Sequence, residues 1–121
     1  MLSIGKFLLS FKYAWQGFIK LLQSEQNTRV HLFFSVLVLV LAFYFNVERY
    51  EWLALLICIA LVWSAEIINT AIENLANVVS PEYHEKIKTV KDLAAAGVLF
   101  CAFISIIIGT IIFGNKLWEF L

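Results

Sequence analysis

Glu66-Ile-Ile-Asn-Thr-Ala-Ile-Glu73 holds the residues most suited to chemistry, and it follows directly from the apolar run Trp52 to Ala65. On a helix turning about 100° per residue, Glu66, Asn69, Glu73 and Asn77 fall within roughly 80° of one another, as one polar stripe. Glu66 lies only ~21 Å along the helix from Trp52, short of the ~30 Å that crosses the hydrocarbon of a bilayer. A carboxylate at that depth costs ~2.5 kcal/mol or more, and such groups usually face a bundle interior or a wet cavity. Two interfacial carboxylates at a helix end would give the same stripe. A carboxylate at Glu66 suits a general base for a lipid hydroxyl. Neighbouring carboxylates suit Mg²⁺, which is held by one or two of them together with substrate phosphates. Lysines beside them suit phosphate oxygens, which completes the parts of phosphoryl transfer. No P-loop is present. A proton or ion pathway relaying through Glu66 would use the same carboxylates, and so would a scaffold without turnover.

The elements that must hold this stripe belong to a membrane protein. The chain has 121 residues, of which 62% are hydrophobic and 15% charged, with a net charge of zero. That composition points to one integral-membrane domain (1–121) and gives no sign of a nucleic-acid partner. Three apolar segments can span, at about 30–46, 52–79 and 93–113. Ahead of them, from about 4 to 22, Phe7, Leu8, Phe11, Ala14, Trp15, Phe18 and Leu22 recur at helical spacing, with Lys6, Lys12 and Lys20 on the other face. This is the pattern of an amphipathic helix lying on the membrane surface. Gly97 and Gly109 could allow close helix approach. Cys58 and Cys101 read as small apolar packing residues. The start of the chain predicts no cleaved leader, and Pro81 marks the exit from the second span.

Basic residues orient the chain. Lys6, Lys12, Lys20, Arg29, Lys86, Lys88 and Lys91 fall on one side, against Arg49 and Lys116 on the other. By the positive-inside rule the N-terminus and the 80–91 loop are cytoplasmic. Glu25, Glu66, Glu82, His84, Glu85, Lys91 and Asp92 then gather at one membrane face.

The same segments carry a resemblance. Glu66 to Glu73, Ser80-Pro-Glu-Tyr-His-Glu85 and Val90-Lys-Asp-Leu-Ala-Ala-Ala96 resemble the signature of the small prokaryotic diacylglycerol kinase family. The match extends through Phe11-Lys-Tyr-Ala-Trp-Gln-Gly17 and Glu25-Gln-Asn-Thr-Arg-Val-His31, and so over nearly the whole chain. The resemblance implies an all-α homotrimer, each protomer with one surface helix and three transmembrane helices, in the bacterial inner membrane. It implies ATP- and Mg²⁺-dependent phosphorylation of a membrane lipid alcohol. By the same resemblance Glu66 is the catalytic base, Asn69 helps order the site, and Glu25 and Glu73 hold the nucleotide-bound magnesium. Lys6, Tyr13, Glu82, Tyr83, His84, Lys91 and Asp92 match positions that contact ATP, although Lys6 stands where some members carry arginine. Read alone, Tyr13 is equally an interfacial anchor, and 82–91 a solvated loop. Classical members phosphorylate diacylglycerol. The Gln26 to His31 block and the Ser80-Pro81 turn resemble the undecaprenol kinases instead.

Overall fold

The structure, a computed structural model, describes residues 3–121. It is all-helical, with α1 Ile4–Ser24, α2 Gln26–Tyr44, α3 Arg49–Val79 and α4 Glu85–Phe120. Each of the last three is long and apolar enough to cross a membrane. At 1.5 Å per residue, α3 with its 31 residues is about 46 Å long, and α4 with 36 is about 54 Å. Both outrun the ~30 Å hydrocarbon core, so their ends reach the headgroups or beyond.

Local chemistry explains where the helices stop. Ser3 caps α1, its hydroxyl accepting from the Lys6 N–H. Glu25 is the single extended residue between α1 and α2 (φ −115°, ψ 116°). The α2–α3 turn passes through Asn46 with φ at 52°, a left-handed conformation that asparagine tolerates better than most residues. Glu48 and Glu51 then form a capping box, each side chain serving the other's backbone at the start of α3. At the other end α3 stops at Val79, with Ser80 as its cap ahead of Pro81. His84 opens α4 by accepting from the Lys86 N–H through Nδ1 (3.2 Å).

Two segment ends differ from the sequence expectation. Residues 26–29, ahead of the span expected at 30–46, form a polar first turn of α2. The charged residues from Glu85 to Asp92 form the first turns of α4, with Lys88 and Asp92 paired across one turn (2.7 Å). That carboxylate holds the exposed Lys88 ammonium above its ordinary range.

The buried apolar core sits at the Trp52 end of the bundle. Ala42, Val47, Leu55 and Ile112 are buried, with Val38, Phe45, Trp52, Ile108 and Phe113 packed against them. Lys116 and Glu51 close this end with an ion pair between α4 and α3 (3.3 Å). Helix α3 packs mainly on α4, and less extensively on α2. Gly97 and Gly109 do not serve as close-approach points within one chain. A Cβ at either would meet nothing within 4 Å, because both glycines face open space. Cys58 is buried and Cys101 half-buried, both unpaired. Large apolar side chains such as Leu53, Ile57, Leu99, Phe100 and Ile106 stay exposed along α3 and α4. Lipid or further protein must cover them.

Candidate active site at the Glu66 end of α2 and α3

The opposite half of the α2–α3 pair buries polar groups instead. Thr28, Glu66, Asn69 and Thr70 are all buried, Glu66 with 3% of its surface exposed. Their placement follows from two helices meeting with matched spacing. Residues 45–48 make a short turn between α2 and α3, so these helices run antiparallel. Contacts then repeat one turn apart. Trp63 Nε1 donates to Ser35 Oγ (2.9 Å), and the Ser35 hydroxyl donates back to the His31 carbonyl (2.7 Å). One turn further, His31 Nε2 stands 3.5 Å from Glu66 Oε2. That register sets Thr28 level with Asn69 and Thr70, and Glu25 level with Glu73.

Several side chains on this ladder have spare hydrogen-bonding capacity. Asn69 Nδ2 donates to Glu73 Oε1 (3.2 Å), while Asn69 Oδ1 has no partner. The Thr28 and Thr70 hydroxyls are also unpartnered among the described residues. Buried polar atoms are nearly always paired, and each orphan costs roughly 1–3 kcal/mol. Three of them on the helix pair that buries Glu66 leave this end with capacity for a further polar partner. Glu25 and Glu73 lie near enough for their charges to act on Glu66. Both are half-buried, and so within reach of solvent.

The stripe read from the sequence is therefore physically joined. Glu66, Asn69 and Glu73 cluster, and Asn77 accepts a hydrogen bond from Lys91 Nζ, tying α3 to α4. Asp92 is engaged by Lys88. The other candidate nucleotide contacts are not drawn in. Lys6 and Tyr13 are exposed on α1, and Glu82, Tyr83 and His84 are exposed in the α3–α4 connection. Among the described residues no three metal-ligating side chains gather closely enough to hold an ion by themselves. Two carboxylates completed by phosphate oxygens still fit magnesium, which seldom uses an all-protein cage. Sequence reasoning gave no role to His31, Thr28 or Thr70. Periodicity had a faint signal for two of them, since Thr28 and His31 continue the three-residue spacing that begins at Glu25.

An open apolar cleft of about 560 Å³ lies between α2, α3 and α4. Val30, Phe34, Leu55, Ile59 and Ile106 line it, and His31 is also part of its lining. The arrangement is thus a buried carboxylate reached from a polar, solvent-accessible side, with greasy space on the far side of His31.

Residues 12–113 match the model of the prokaryotic diacylglycerol kinase family. The chain belongs to that family. The kinase is 33% identical over 115 residues to the undecaprenol kinase of Bacillus subtilis, covering 95% of this chain and 94% of the relative. It is 36% identical over 103 residues to a diacylglycerol kinase of Synechocystis, covering 84% of this chain and 59% of that longer relative. The diacylglycerol kinase of Escherichia coli K12 is 31% identical over 107 residues, with 88% and 84% covered. The protein is accordingly a membrane lipid kinase, and a pathway or scaffold without phosphoryl transfer is set aside.

Proposed function

We propose that the kinase transfers the γ-phosphoryl group of ATP to the hydroxyl of undecaprenol at the cytoplasmic face of the bacterial inner membrane. Glu66 removes the proton from the hydroxyl, the freed oxygen bonds to the γ-phosphorus, and the bond to ADP breaks. The observation that carries this reading is the depth of Glu66, a nearly inaccessible carboxylate with the His31 imidazole in contact. Glu25 and Glu73 would hold magnesium together with the phosphates, and the ion would offset charge on the transferring group. Asn69, through its bond to Glu73, aligns the two carboxylate positions of α3. Lys91 and Asp92 would approach the nucleotide from α4, with Lys6, Tyr13, Glu82, Tyr83 and His84 at its edges.

The cytoplasmic assignment rests on seven basic residues against two. A homotrimer is the assembly we favour on the family resemblance, and the exposed apolar faces of α3 and α4 leave room for neighbouring protomers as well as lipid. Undecaprenol is preferred because the Bacillus subtilis relative, matched over 95% of this chain and 94% of its own length, is named for it. Diacylglycerol is the second acceptor, after the Synechocystis and Escherichia coli relatives.

Purified protein in matched mixed micelles, given radiolabelled ATP, should phosphorylate undecaprenol with at least about fivefold higher kcat/KM than diacylglycerol, a difference of about 1 kcal/mol in transition-state binding. The activity should vanish without magnesium. A preference for diacylglycerol would reverse the acceptor and leave the kinase standing.

A further inference from the structure

We propose that His31 is a positioning residue: it holds one oxygen of the Glu66 carboxylate and so leaves the other aimed at the acceptor hydroxyl. This rests on Glu66 being the base. The evidence is a two-rung clasp between α2 and α3. At the outer rung Trp63, three residues before Glu66, donates to Ser35, and Ser35 donates to the carbonyl of His31 itself. Phe18 of α1 covers the Trp63 ring at 5.4 Å between centroids, backing this rung from the surface helix. At the inner rung His31 Nε2 meets Glu66 Oε2 at 3.5 Å, with their side chains only 20% and 4% exposed. The backbone turn that carries His31 is therefore fixed to the turn that carries Glu66, and the imidazole has little freedom to leave.

The charges around Glu66 give the contact a further purpose. Glu25, at the α1–α2 break, and Glu73, one face along α3, are both negative neighbours. Lys91 of α4 is occupied by Asn77. Among the described residues, His31 is the basic side chain in contact with Glu66. Without it, a carboxylate rotating freely beside two others would spend less time with an oxygen toward the lipid. An error of about 1 Å in such a group can cost ~10²-fold in rate.

The test compares His31→Leu, His31→Gln, Glu66→Gln and the double variant His31→Leu/Glu66→Gln in mixed micelles, with melting in detergent as the folding control. His31→Leu should lower kcat by ~10- to 100-fold while the KM for ATP stays within about twofold. His31→Gln, which keeps an N–H donor, should retain at least about fivefold more kcat than His31→Leu. On the Glu66→Gln background, His31→Leu should cost less than about twofold, because its target is gone. The double variant and His31→Gln keep the comparison usable if His31→Leu alone strands the carboxylate and unfolds. A kcat within twofold of wild type in both His31 variants overturns the proposal. So does a loss shared by kcat and the nucleotide KM, or a full additional loss in the double variant. Activity surviving in Glu66→Gln would instead remove the base assignment, whatever His31 does.

Discussion

The two ends of the α2–α3 pair solve the same packing problem with opposite materials. At the Trp52 end, Ala42, Val47, Leu55 and Ile112 interlock, a capping box closes α3, and Lys116 pins α4 to Glu51. At the Glu66 end the same two helices bury Thr28, Asn69, Thr70 and a carboxylate, and leave three polar atoms unpaired. The first end is optimised for cohesion. The second gives up cohesion for buried polarity, the trade expected of a functional site. One continuous helix spans both, so the difference lies in side chains and not in backbone.

Substitutions can test that division, beginning with the largest effect expected. Glu66→Gln should lower turnover by ~10² to 10⁴, the usual loss when a general base is removed. It should leave melting unchanged or raise it, because a costly buried charge is gone. More than a tenth of the activity remaining in a radiolabelled transfer assay would take Glu66 out of the role.

Leu55→Ala should do the reverse. Leu55 is 2% exposed, and emptying such a site costs about 2–5 kcal/mol. Denaturation in micelles should show that loss, while kcat per folded molecule stays near wild type. A selective drop in kcat would mean that the packed end is not separable from the site.

Glu25→Gln and Glu73→Gln should each raise the magnesium needed for half-maximal rate, about tenfold if a charged ligand becomes a neutral one. Titrating magnesium at saturating ATP tests this, and an unchanged curve in both would remove the metal assignment. The gentlest change is Thr28→Val. It deletes a fully buried, unpartnered hydroxyl, so melting should report a gain of up to about 1 kcal/mol. A loss of stability would show that the hydroxyl is satisfied in the folded protein after all.

Sequence made the helices legible because each is written as a long apolar run or a clear amphipathic stripe. It also made Glu66, Asn69 and Glu73 legible, since one helix at 3.6 residues per turn places all three. The breaks were harder. Residues 26–29 are hydrophilic and lie outside the span expected from residue 30, yet they are helix-competent and Thr28 is buried, so tertiary contact extends α2 through them. No glycine or proline announces the Glu25 break. His31 escaped because its partner is 35 positions away, and periodicity within a segment carries no information about which residue faces it across a helix pair. Lys6 and Tyr13 remain exposed on α1, and no contact within one chain assigns them to the site.

The length of α3 has a consequence for the kind of bilayer in which this enzyme works best. With its capping box and Trp52 at one headgroup region, the unbroken helix would carry Glu66 a fixed ~21 Å from there. A rigid spacer converts membrane thickness into catalytic depth. In a thinner leaflet α3 must tilt, or Glu66 rises toward the headgroups; in a thicker one it sinks into hydrocarbon, away from phosphate donors. With Glu66 as the base, lipid chain length should therefore act on this protein as a dial on turnover, set by nothing more than how many residues separate an anchor from a carboxylate.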